Sequence, residues 1–86
     1  MAINQELLKV IHSIENIKDL SSFFEDIFTP AELEDISLRW KLLKDLHDGM
    51  TQRKIAEKYS ISLCKITRGS KILKNKDSGV LKILKS

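Results

Sequence analysis

Apolar residues recur along this chain at helical spacing, with no sustained strand-like alternation. Ile3, Leu7, Ile11 and Ile14 form a first stripe, widened by Val10 and Ile17, with Glu6, Lys9, Ser13 and Glu15 elsewhere on the wheel. A second stripe holds Leu20, Phe23, Phe24, Ile27 and Phe28, with Asp19 or Ser21 as its expected N-cap. The third helix has the plainest start signal, Thr29-Pro30-Ala31-Glu32. Threonine suits the N-cap, proline suits the first helical position, where its missing N–H costs nothing, and Glu32 completes a capping box. Leu33, Ile36, Trp40, Leu43 and Leu46, with Leu42 alongside, are the expected buried face, which makes Trp40 a core residue. Gly49 is placed to end this helix.

Shorter helices follow. Thr51 is expected to cap one through Lys58, and Ser62 another running past Thr67, with Tyr59-Ser60-Ile61 as a tight turn between them. A last helix, about residues 78–85, carries Val80, Leu81 and Leu84 after the polar link Asn75-Lys76-Asp77. No repeat, low-complexity tract or long linker interrupts the pattern. The reading is one all-α domain over residues 1–86.

Composition narrows the function classes. The chain has 86 residues, 42% hydrophobic and 31% charged, which fits a small globular unit and not a disordered tail. No apolar run approaches the roughly 20 residues of a membrane span. No cationic segment followed by an apolar block marks the N-terminus for export, so a cytoplasmic protein with no membrane partner is expected. Cys64 alone cannot form an internal disulfide, and with His12 and His47 far apart it offers no metal site; both histidines are expected at the surface. Nothing resembles a paired acid and base, a phosphate loop or a nucleophile with its partner, so no enzyme is expected. Three of the five aromatics fall within residues 23–28, beside the Leu7/Ile11/Ile14 stripe. So small a chain would struggle to cover them alone, and a homodimer is expected.

Charge is segregated. Residues 1–48 hold five Lys/Arg against ten Asp/Glu, a net of −5, while residues 49–86 hold ten against two, a net of +8. An acidic scaffold half and a basic half that meets a polyanion is the reading this division favours over lysines kept for solubility.

Inside the basic half, residues 51–67 fit a helix-turn-helix. Ala56 is the small residue where two helices cross, and Ile55, Tyr59, Ile61 and Ile66 fill the apolar positions around the crossing. Ser60 stands in the turn where a glycine is common. Such a motif presents the start of its second helix to a major groove, here Leu63, Cys64 and Thr67. Arg53, Lys54, Lys65, Arg68, Lys71 and Lys74 surround it with charge for phosphates. Gly69 within a helix costs about 1 kcal/mol relative to alanine, which points to close approach by a ligand or by backbone.

Thr51-Gln52-Arg53, Ile66-Thr67-Arg68-Gly69-Ser70 and Leu73-Lys74 resemble the helix-turn-helix of the bacterial tryptophan repressor family. Phe28-Thr29-Pro30-Ala31-Glu32 and Arg39 resemble that family's preceding helix, so the similarity covers about residues 27–74. It implies an intertwined homodimer of six-helix subunits, with dimerisation helices over about residues 3–48, the helix-turn-helix over 51–74 and a last helix over 78–85. It also implies a repressor on a palindromic double-stranded DNA operator with L-tryptophan as corepressor and no metal. Arg39 and Arg68 match the arginines that sandwich the indole, Arg68 also pairing with the carboxylate. Gly69 leaves room beside the ring, Ile72 lies beside the ligand, and Thr29 reaches the carboxylate from the other subunit. Gln52, Arg53, Leu63, Cys64, Lys65, Thr67, Ser70 and Lys74 are the DNA-facing candidates. Three features depart from the family pattern: Ile72 replaces a small polar residue, Lys65 replaces a threonine, and the turn at Gly49-Met50 is one residue shorter. Two other functions therefore stay open, a ligand-independent DNA-binding regulator on the same scaffold and a helical protein-interaction module.

Overall fold

The structure is a computed structural model describing residues 2–86. Among those residues there are six helices and no strand: α1 (Gln5–Ser13), α2 (Ile17–Ile27), α3 (Pro30–His47), α4 (Gln52–Tyr59), α5 (Leu63–Lys74) and α6 (Gly79–Lys85). The all-α fold class read from the sequence is the one observed. The helices fall into two compact units, one reaching to Glu34 and one from Asp35 to Ser86.

In the first unit the two opening stripes become α1 and α2. Ile3 and Ile14 fall just outside α1, and Ile17 opens α2 instead of extending the first stripe, because asparagines set the start of each helix. Asn4 Oδ1 accepts the Leu7 N–H at 2.9 Å, and Asn16 Oδ1 accepts the Lys18 N–H at 2.7 Å. Asn16 therefore replaces the expected Asp19 or Ser21 as the cap of α2, because its short amide reaches back to the unpaired N–H groups of the first turn. Phe24 packs edge-on against Phe28 with ring centroids 5.3 Å apart. Neither α1 nor α2 contains a single buried residue, although both are strongly amphipathic.

The capping box at the start of α3 forms as read. The Thr29 hydroxyl accepts the Glu32 N–H at 3.2 Å, and the Glu32 carboxylate accepts the Thr29 N–H at 2.9 Å. At the far end Gly49 adopts φ +96°, the Met50 N–H donates to the Asp45 carbonyl at 2.9 Å and the Gly49 N–H to Leu46 at 3.1 Å. That pair of bonds is a Schellman stop, which favours glycine at the left-handed position.

The second unit holds the core: Leu42, Leu43, Ile55 and Ile66, with Ile55 and Ile66 fully enclosed. Leu46, Met50, Ala56, Tyr59, Ile61, Ile72, Leu73 and Val80 pack around them, so α3, α4, α5 and α6 all contribute. The expected face of α3 is corrected here. Ile36 and Trp40 stay more than two-fifths exposed, while Leu42 and Leu43 are buried. The helix carries apolar residues on two sides: Leu38, Leu42 and Leu46 share one side, and Leu33, Ile36 and Trp40 share the other. On the first side Leu42 is buried and Leu38 and Leu46 are half-buried, while on the second Leu33 is half-buried and Ile36 and Trp40 are exposed.

Between α4 and α5, Ser60 takes the left-handed conformation at φ 54°, ψ 48°, and the Ile61 N–H donates to the Ala56 carbonyl at 3.1 Å. Serine thus occupies the conformation that glycine adopts without strain. Thr51 caps α4 by accepting the Lys54 N–H at 3.2 Å, and α4 runs one residue past Lys58 to Tyr59. Ser62 precedes α5 as expected but makes no side-chain capping bond. Ser78, nearly buried, caps α6 through the Leu81 N–H at 3.3 Å.

Candidate functional site

α5 is a three-sided helix. Ile66, Gly69 and Leu73 face the core. Lys65, Arg68, Gly69 and Ile72 recur at spacings of three and four and line a groove against α3. Leu63, Thr67, Ser70 and Lys74 recur at the same spacings, half a turn round the helix from the groove-lining set. The groove side and this second side are therefore opposite faces of one short rod.

The groove encloses about 220 Å³, and its lining is completed from α3 by Asp35, Leu38, Arg39, Leu42 and Leu43. Its floor is apolar and its polar rim is basic. Arg39 Nη2 lies 3.7 Å from Asp35 Oδ2, one turn earlier on the same helix, with both side chains more than half exposed. An exposed pair at that distance contributes little to stability. Among the described residues no carboxylate pairs with Lys65 or Arg68.

Gly69 has a structural cause. A Cβ there would lie 2.8 Å from Leu42 Cδ1, 3.3 Å from Leu46 Cδ1 and 3.4 Å from Leu43 Cδ2. The sequence reading named a ligand or backbone as the close neighbour, and the neighbour observed is neither: it is a set of α3 side chains. Glycine lets α3 and α5 come together and so sets the depth of the groove.

The sequence-derived candidates fall into separate groups. Arg39, Arg68, Gly69 and Ile72 are brought together at the groove, and Lys65 joins them, on the face away from Leu63 and Thr67. Ile72 also packs against the core. Thr29 is not among the lining residues, and its hydroxyl is engaged in the cap of α3. Gln52 and Thr67 meet across the motif: the Thr67 hydroxyl lies 3.4 Å from Gln52 Oε1 while donating to the Leu63 carbonyl at 2.9 Å. Leu63 is 55% exposed, and Cys64, Arg53 and Lys74 are exposed with it, while Ser70 is half-buried. An unpartnered leucine opening a helix in a basic unit is available for base-edge contact. Asp35, which the sequence places only in an acidic cluster complementing the start of α3, is a groove residue that the sequence reading did not assign to the site, as is Leu38. The signal for Asp35 was the four-residue spacing to Arg39, which puts both on one helix face.

A polar clamp ties the end of α4, the first helix of the motif, to α3. Asp45 Oδ2 accepts the Tyr59 hydroxyl at 2.5 Å and the Lys58 ammonium at 3.1 Å, and Lys58 also sits 5.1 Å from the Tyr59 ring centroid. The Tyr59 hydroxyl, with Lys58 helping, holds the Asp45 carboxyl below its usual range. The same carboxylate pushes the Tyr59 phenol and the Lys58 ammonium up. His12 and His47 are exposed, as read from the sequence, and no group of His, Cys, Asp or Glu among the described residues could hold a metal ion. Among those residues, no helix is long and apolar enough to cross a membrane.

A family profile described as Trp repressor protein matches residues 3–86. The chain belongs to the Trp repressor family. The resemblance carried by Thr29-Pro30-Ala31-Glu32 and Thr67-Arg68-Gly69-Ser70 is thereby shown. A Trp operon repressor homolog of Chlamydia trachomatis is 36% identical over 74 residues, covering 85% of this chain and 79% of that protein. The homolog of Chlamydia caviae is 33% identical over 82 residues, covering 94% and 81%. That of Xylella fastidiosa is 32% identical over 65 residues, covering 74% and 71%. No solved structure gives a significant match. The Trp repressor family is one of DNA-binding regulators and not of enzymes, and the chain is a DNA-binding repressor of that family.

Proposed function

We propose that this protein is a homodimeric repressor of a palindromic operator, with α5 in the major groove and L-tryptophan as corepressor in the α3–α5 groove. The observation that carries the ligand is the convergence of Arg39 and Arg68, from two helices, on one groove with an apolar floor. Planar guanidinium groups stack on aromatic faces, and the Arg68 fork pairs with a carboxylate. A groove of about 220 Å³ is at the small end of ligand sites and has room for a ligand the size of an amino acid. Arg39, Arg68, Gly69 and Ile72 would hold it, joined by Thr29 of the partner subunit.

The dimer is supported by what a single chain leaves uncovered. α1 and α2 bury no residue, Ile17 is 77% exposed and Ile27 49%, and Trp40 and Ile36 add a second open face on α3. Apolar faces of this extent resemble a core divided between two chains. DNA contact is assigned to Leu63, Cys64, Thr67 and Ser70 at base edges or nearby backbone, with Gln52, Arg53 and Lys74 serving register and phosphates, while Lys65 lies on the groove face of α5. Because the ligand face and this face lie on opposite sides of α5, a bound ligand would set the tilt with which the helix enters the groove. The coupling must then be reciprocal, with operator and ligand each tightening the other.

Calorimetric titration of L-tryptophan tests this reading. Two equivalent sites per dimer are expected, lost in Arg68→Ala and also weakened in Arg68→Lys, which keeps charge without the planar fork. Ile72 and Lys65 favour a second reading, a DNA-binding regulator without tryptophan, since one offers no polar atom to the ligand and the other adds positive charge beside it. Undetectable heat at millimolar tryptophan selects that second reading.

A further inference from the structure

We propose that Asp35 is the residue that reads the ammonium group of an amino-acid ligand in the α3–α5 groove and so separates amino acids from their deaminated analogues. The proposal rests on the groove being a ligand site, and it names what that site selects. Of the nine residues lining the groove, Leu38, Leu42, Leu43, Gly69 and Ile72 carry no polar side-chain atom, and Arg39, Lys65 and Arg68 are donors only. Asp35 is the single side-chain acceptor. The backbone carbonyls of these residues lie within α3 and α5, where they accept helical bonds; that of Ile72, near the end of α5, takes the Asn75 N–H at 3.3 Å.

The charge pattern has a direction. Lys65 and Arg68 stand one turn apart on α5, without a carboxylate partner among the described residues, while Asp35 stands on α3. A zwitterion is the ligand whose two ends match this division, its carboxylate toward α5 and its ammonium toward α3. Without a negative group on the α3 side, three cations would line the groove and repel an ammonium. Asp35 is only loosely committed, since Arg39 Nη2 is 3.7 Å away, beyond hydrogen-bond reach, and both side chains are exposed. An arriving ammonium can replace that contact, and Arg39 is then released to the aromatic face.

The test is calorimetry of wild type, Asp35→Asn and Asp35→Glu with two probes, L-tryptophan and 3-(indol-3-yl)propanoate, which lacks only the amino group. Wild type should prefer tryptophan. Asp35→Asn should weaken tryptophan by about tenfold or more, the scale of a lost charged hydrogen bond, and leave the propanoate unchanged or tighter. Asp35→Glu should keep the preference for tryptophan. Asp35 is exposed on the helix surface, so the variants should melt with wild type, and a melt by circular dichroism checks that. An unchanged ratio of the two affinities in Asp35→Asn overturns the assignment while leaving the groove as a ligand site. Failure of wild type to bind either probe overturns the ligand site itself, and this inference with it.

Discussion

Gly69 of α5 lies so close to Leu42 of α3 that a Cβ on the glycine would stand 2.8 Å from Leu42 Cδ1. Leu42 is itself 3% exposed and packed in the core, so its methyl group can give way only by turning into the α3–α5 groove it lines. Substituting Gly69→Ala sets two effects against each other. Alanine gains about 1 kcal/mol of helix propensity, and overpacking costs about 1–3 kcal/mol. A net loss of about 1 kcal/mol is expected, with Gly69→Val losing more. Urea unfolding decides it, and a Gly69→Ala protein more stable than wild type would contradict the packing account.

The core of the second unit is small enough for one side chain to matter. Ile55 and Ile66 are the only fully enclosed large side chains among the described residues, and they join the two helices of the motif to α3. Ile66→Ala should cost about 2–5 kcal/mol. Protection of α4 and α5 amides from hydrogen exchange should fall together, since both helices lean on the same residue.

Much of this fold was legible in the chain because short-range chemistry set it. Thr29 and Glu32 form the capping box their spacing announces, and Gly49 makes the stop that only a positive φ allows. Ser60 was the weak point of the helix-turn-helix pattern, yet it adopts the left-handed turn in place of glycine, because the packing of Ile55 and Ile66 on either side outweighs the strain. Trp40 was misjudged for a reason no periodicity could supply. α3 has two apolar faces, and which one a lone chain buries depends on where α4 and α5 come back to it. Asp35 was read as helix-start charge and not as a site residue for the same reason, since a groove between two helices exists only after they pack. Asn16 was overlooked although its signal was local, an asparagine just before Ile17 with Asp19 three residues on.

The Asp45, Tyr59 and Lys58 clamp gives stability a particular pH dependence. The folded Asp45 carboxyl titrates below its ordinary 3.8, so its contribution is present above that value and lost as pH falls through the lower, folded one. Tyr59 and Lys58 titrate above their ordinary 10.0 and 10.5, so their contributions are present below those values and lost as pH rises through the higher, folded ones. Urea midpoints should therefore form a plateau between the acid and alkaline shoulders. Tyr59→Phe should lower the plateau and soften both shoulders, and a Tyr59→Phe profile that superimposes on wild type would remove the clamp from the account.

Separate roles on α4 and α5 predict separable DNA phenotypes. Arg53→Ala and Lys74→Ala should weaken binding, with Lys74→Ala acting almost uniformly across sequences and reducing the slope of log affinity against log salt by about one. Leu63→Ala and Cys64→Ser should instead alter which duplex is preferred. Selection from a randomised library with each variant reads the difference. Four variants with wild-type affinity and preference would displace α5 from the DNA.

Light scattering addresses the open faces of α1, α2 and α3. A dimer should persist at micromolar concentration, and Ile17→Asp together with Trp40→Glu should shift it toward monomer. A well-folded wild-type monomer at that concentration would leave Ile17, Ile27 and Trp40 without a covering partner.

The most direct measurement is fluorescence anisotropy of a duplex that the protein itself selects from a random pool, titrated with and without millimolar L-tryptophan alongside a scrambled duplex of the same length. The selected duplex should be palindromic and strongly preferred over the scrambled one, and tryptophan should tighten its binding by about 5–150-fold, the usual range for coupled sites. Equal affinity for the selected and scrambled duplexes, unmoved by tryptophan, would contradict the account of α5 as a ligand-positioned DNA-reading helix.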